Sequence, residues 1–60
     1  MQATQIQEHA RMLLAAHGSK AIAEAAQKAR ELENTGDKAQ ADDWRRIEAA
    51  LRHMHGPKMS

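Results

Sequence analysis

Apolar residues recur at spacings of three and four along two stretches of this chain. Ile22, Ala25, Ala29 and Leu32 mark one, and Ala41, Trp44, Ile47, Leu51 and Met54 the other. That spacing places each set on one face of an α-helix. Between them lies Asn34-Thr35-Gly36-Asp37. Gly36 suits the position just past a helix end, because glycine enters the left-handed region without a Cβ penalty. Asp37 is a good N-cap for the next helix, and Gln40 three residues on completes a capping-box pattern. Asp42 and Asp43 near the start of that helix, and Arg52, His53 and His55 near its end, suit its dipole. The pattern predicts helices over about 20–34 and 38–54, folded back at Gly36 as an antiparallel hairpin. Partners then lie equidistant from the turn: Leu32 with Ala41, Ala29 with Trp44, Ala25 or Ala26 with Ile47, Ile22 with Leu51. Large faces small at three levels, as interdigitated packing requires, and Ala29 leaves the space that Trp44 fills.

A third stretch carries Ile6, Ala10, Leu13 and His17 on one line, which predicts a first helix over about 5–16. Thr4 followed by Gln7 reads as its capping box. Met12, Leu13 and Leu14 are consecutive and cannot all face one partner. Either one of them is an ordinary exposed apolar residue, or the helix is sandwiched between its own hairpin and a second subunit. Gly18 can end this helix and Ser19 can cap the next. The alternative is one continuous helix from Gln5 to Glu33, with Gly18 tolerated at about 1 kcal/mol relative to Ala. A glycine beside a capping serine favours the break. Gly56-Pro57 stops the third helix, and 1–3 and 56–60 read as disordered ends. The expectation is a single all-α domain over 1–60 with three helices.

Composition changes the picture in one respect. Of the residues counted as hydrophobic, 42% of the chain, 13 are alanine. The large apolar residues apart from Met1 and Met59 are Ile6, Met12, Leu13, Leu14, Ile22, Leu32, Trp44, Ile47, Leu51 and Met54. A 60-residue chain with so few is marginal alone. With no cysteine to staple it, oligomerisation is the expected source of further burial. The predicted assembly is a homodimer with Met12, Leu13, Leu14 and Ile6 as interface candidates. Val, Phe and Tyr are absent, which leaves little to build a strand. The lack of cysteine fits a reducing, cytoplasmic compartment. No run approaches the roughly 20 apolar residues that span a bilayer, so no membrane partner is expected. The net charge of +1 demands neither nucleic acid nor an anionic surface.

His17-Gly18, the Ala-rich helix after it, Gly36-Asp37 and Trp44-Arg45 with Ile47 resemble a pattern in small all-helical alphaproteobacterial proteins. There an aromatic residue or His before Gly is followed by an Ala-rich helix, Gly-Asp, then Trp-Arg and an apolar helix. The resemblance spans most of the chain through short motifs. That family has no assigned function, so the resemblance implies a helical fold and carries no catalytic residue across. Gly36-Asp37 with Ala41 is also similar to the interhelix turn of a single tetratricopeptide-type hairpin. The chain departs from that repeat by lacking a second copy and by placing Pro57 too late. A lone repeat unit cannot bury its own face.

Candidate chemistry is sparse. His17, His53 and His55 fall near one end of the predicted hairpin and form the one candidate metal cluster, since zinc accepts three imidazoles and a water. His9 lies roughly 12 Å along the helix from His17, too far to share an ion. Arg45 and Arg52, seven apart on one face, are candidate phosphate contacts within a basic patch of Arg45, Arg46, Arg52, His53, His55 and Lys58. Asp42 and Glu48 lie within reach to neutralise them. Asp42 and Asp43 diverge by about 100° on a helix, so they do not form a carboxylate pair. Ser19, Thr4 and Thr35 have no evident base, and there is no Gly-rich phosphate loop. Neither catalytic nor cofactor-binding residues are assigned, and no enzymatic activity is expected. The functional expectation is a small helical protein–protein interaction or regulatory module. Weak nucleic-acid binding is the alternative, and metal binding by the histidines a second one. Trp44 reads as core, or else as an exposed interface anchor.

Overall fold

Three helices order residues 2–55, the residues described in this computed structural model: α1 (Ala3–His17), α2 (Lys20–Asn34) and α3 (Lys38–His55). The chain is an all-α three-helix protein, with no strand among the described residues. The expectations for Met1, for the Gly56-Pro57 stop and for the 56–60 tail lie outside those residues.

The Gly36 turn forms for the reasons its sequence suggests. Gly36 has φ +89°. The Asp37 N–H donates to the Leu32 carbonyl at 2.9 Å and the Gly36 N–H to the Glu33 carbonyl at 3.1 Å. This pair of bonds is the Schellman closure of a helix end. Thr35 Oγ1 adds a bond to the Leu32 carbonyl at 2.9 Å. Asp37 Oδ1 then accepts the Gln40 N–H at 3.1 Å, which caps α3. The helix end and the helix start therefore share one three-residue turn.

The first break also occurs at Gly18, but by a different device from the one expected. Gly18 has φ +63° and ψ −143°, the mirror image of polyproline II, and its N–H donates to the Leu14 carbonyl at 2.8 Å. Few L side chains adopt that conformation. Ser19 is already helical (φ −63°, ψ −20°) and its side chain makes no capping bond. A capping serine needs an extended backbone to aim its oxygen at the first turn. The Gly18 and Ser19 carbonyls instead accept the Ala21 and Ile22 N–H groups, at 3.0 and 3.3 Å. At the other end of α1 the cap is Gln2, whose N–H donates to Gln5 Oε1 at 3.1 Å. The Thr4–Gln7 pairing is displaced by two residues, and α1 starts at Ala3 where a loose end was expected.

The core is narrow. Ile6, Ile47 and Leu51 are its large buried side chains, and Ala10, Ala21, Ala25, Ala29 and Ala41 complete the buried set. Leu13, Leu14, Ile22, Trp44 and Met54 pack against its edges. Small residues allow helix axes to approach closely, so α2 presents alanines to α3. Their interface is the most extensive, and α1 packs chiefly on α3 and least on α2. Ile6 is 6% exposed. It belongs to the protomer's own core and drops out of the interface set, because a side chain already buried has no surface left for a second chain.

Candidate functional site

Glu48 on α3 is the centre of the main polar network. Its side chain is only 12% exposed. Arg52, one turn further on, donates to Glu48 Oε2 from Nη2 at 2.8 Å and from Nε at 3.2 Å. Arg45, on the preceding turn, donates to Glu48 Oε1 from Nη1 at 3.3 Å. Arg45 also reaches across to α2, where Glu33 accepts from Nη2 at 3.1 Å and from Nε at 3.3 Å. The Arg52 hydrogen bonds hold the Glu48 carboxyl below the usual carboxylate range, against the effect of its burial, and Arg45 adds to the lowering. The Glu33 hydrogen bond and charge hold the Arg45 guanidinium further into its charged form.

This network decides what the basic face can do. Arg45 and Arg52 share a face of α3 as their spacing requires, yet both are already engaged by carboxylates. Arg46 is paired too, with Asp42 at 3.0 Å. A phosphate would have to compete with Glu33 and Glu48 for the same donors. The sequence anticipated Glu48 as a neutralising partner. It did not reveal Glu33, twelve positions before Arg45, because the two are not opposite each other in the hairpin and only the reach of the long Arg45 side chain joins them.

The histidines are dispersed. His17 Nδ1 lies 3.4 Å from Glu24 Oε1, on α2. His53 lines a groove between α1 and α3, and His55 is exposed. Among the described residues no three His, Asp or Glu side chains are grouped so as to hold a metal ion. His17, His53 and His55 are therefore not gathered at one end of the hairpin: His17 turns to α2, and the His53 and His55 side chains diverge along α3. His9, set aside in the sequence reading, is the one that finds a ring. It packs edge-to-face on Trp44, centroids 5.3 Å apart and planes at 63°. Trp44 is half-buried, so it serves as the side wall of the core where α1 meets α3.

Of the apolar triplet, Leu13 and Leu14 are half-buried against the core, while Met12 is 70% exposed. Met12 is the large hydrophobic side chain standing out from the described surface. The groove between α1 and α3 has Gln7 and Arg11 on one wall and Ala49, Ala50, His53 and Met54 on the other. No helix among the described residues is long and apolar enough to cross a membrane. Compared with protein-family models, curated proteins and solved structures, the chain matches none.

Proposed function

We propose that this chain is a small helical protein–protein interaction or regulatory module and that it works as a homodimer in a reducing, cytoplasmic compartment. The observation that carries the reading is Met12, 70% exposed above a core whose large buried members are three. Burying one methionine contributes roughly 1.5–3 kcal/mol, so two contribute roughly 3–6 kcal/mol. Association itself costs about 4–15 kcal/mol. Met12 alone therefore falls short of the cost of association, and a dimer that forms at micromolar concentration recruits further surface. Nucleic-acid binding ranks second because the arginines it needs are held by Glu33 and Glu48.

Sedimentation equilibrium tests the reading. The wild type sediments as a dimer at high micromolar concentration, and Met12→Glu converts it to a folded monomer. Leu14→Glu is the poorer probe, since Leu14 also packs on the core and its replacement lowers stability as well. A wild type that remains monomeric at high micromolar concentration refutes the homodimer. Binding to DNA or RNA that falls steeply with salt and requires Arg45 and Arg52 replaces the reading with its alternative.

A further inference from the structure

Met12 projects from α1 on the same face as Glu8, four residues earlier. Glu8 is exposed and has no ion pair with any described residue. The matching features lie a short way round the same helix. Arg11 stands on the wall of the α1–α3 groove, an open trough of about 530 Å³, likewise without an ion pair to any described residue. On α3, by contrast, Arg45, Arg46 and Arg52 are all held by carboxylates. Ala49, Ala50 and Met54 give the groove an apolar lining, His53 adds a polar donor, and no acidic residue lines it among the described residues. Such a groove accepts an apolar knob with a carboxylate one helical turn away.

We propose that each copy of the chain seats its Glu8–Met12 ridge in the α1–α3 groove of a second copy, with Glu8 against Arg11 and Met12 over Ala50 and Met54. This rests on the homodimer reading and supplies the surface that Met12 by itself lacks. The ridge and the groove then satisfy each other twice in one two-fold contact. The geometry restricts the axis. Successive helical residues turn by about 100°, so Glu8 lies between Arg11 and Met12 around α1. A two-fold axis parallel to α1 carries the Met12 side of one helix onto the groove side of the other. An axis perpendicular to α1 sets Met12 against Met12. The seating therefore requires the two α1 helices to run parallel, which brings the two Glu8 side chains close to the axis, each turned aside to the Arg11 of the other copy.

Charge exchange between the copies tests it. Glu8→Lys and Arg11→Glu, each studied alone by sedimentation, bring like charges together at both contacts. Each weakens the dimer about tenfold or more. An equimolar mixture of the two recovers wild-type affinity, because both contacts of the mixed dimer then join opposite charges. Both positions are exposed, and circular dichroism checks that helicity is kept. If Arg11→Glu lowers helicity, Arg11→Gln takes its place with an expected weakening of about threefold. Dilution of the wild type, followed by amide chemical shifts, moves Ala50 and Met54 together with Met12. A wild-type dimer that neither variant weakens, a mixture no tighter than its components, or dilution shifts confined to Met12 overturns the seating while leaving the homodimer standing. A monomeric wild type overturns both.

Discussion

Replacing Ile47 measures how much of this fold rests on three side chains. Ile47 is 0% exposed and sits among Ala10, Ala21 and Ala25, also 0% exposed, with Leu51 and Ile6 beside it. Removing one methylene with Ile47→Val costs about 0.5–1.5 kcal/mol, and Ile47→Ala about 2–5 kcal/mol, depending on how far the site collapses. Here collapse is limited. The alanines around the void have no rotamer with which to enter it, and they sit on helices that are already close. The expected cost of Ile47→Ala is accordingly in the upper part of that range, about 3–5 kcal/mol. At about 0.05–0.15 kcal/mol per residue, 60 residues give a total stability of only about 3–9 kcal/mol. Ile47→Ala thus removes a third of the stability at least, and can remove all of it. Urea unfolding followed by helical circular dichroism and by the fluorescence of Trp44, the sole tryptophan, reads this directly. With a slope near 1 kcal/mol per molar urea, the midpoint falls by about 3–5 M for Ile47→Ala and by about 1 M for Ile47→Val. Each variant is run at two protein concentrations, since dimerisation shifts the midpoint by mass action. An Ile47→Ala cost below about 1.5 kcal/mol at both concentrations refutes the rigid alanine frame.

Two further outcomes follow from the same structure. Asp37→Ala removes the oxygen that caps α3 and lowers stability by about 1 kcal/mol, a drop in Tm of about 4–8 °C, while Ser19→Ala leaves Tm within about 2 °C because Ser19 makes no capping bond. Glu48 has a lowered folded pKa. Its contribution is complete above the ordinary carboxylate pKa of about 4.3 and is lost as pH falls through the lower folded value. The gap in urea midpoint between wild type and Glu48→Gln therefore closes on acidification; a gap that stays constant from pH 7 to strongly acid pH refutes the assignment.

The parts of the fold legible in the sequence are those that local chemistry decides. Gly36 and Asp37 act within five residues of themselves, and both do what their residue types favour. Helix identity follows from spacing, so Ala25 and Ala29 of α2 and Ala41, Ile47 and Leu51 of α3 are buried as their periodicity requires. The Ser19 cap failed at the same level of detail. Gly18 alone reverses the chain, and its unusual ψ leaves Ser19 helical before its side chain can act. What depends on how α1 lies over the hairpin was not legible. His9 meets Trp44 only because of a helix–helix register that no spacing within one helix encodes. For the candidate site, the triplet Met12-Leu13-Leu14 showed that one member would be left outside. Which one follows from the packing of Leu13 and Leu14 against the core, and the structure leaves Met12.

The short turn at Gly36 also orders events in time. The most extensive interface in the molecule, between α2 and α3, joins segments separated by three residues of chain. Closing so small a loop takes tens of nanoseconds, and helices grow within about a microsecond. Contacts of α1 with α3 span roughly the full length of α2, so their loop-closure cost is larger and comes later. The hairpin is thus the early unit of folding, and α1 docks onto a platform already built. During that interval the α3 surface that receives His9 is open, and it is then that a neighbouring chain can compete for it.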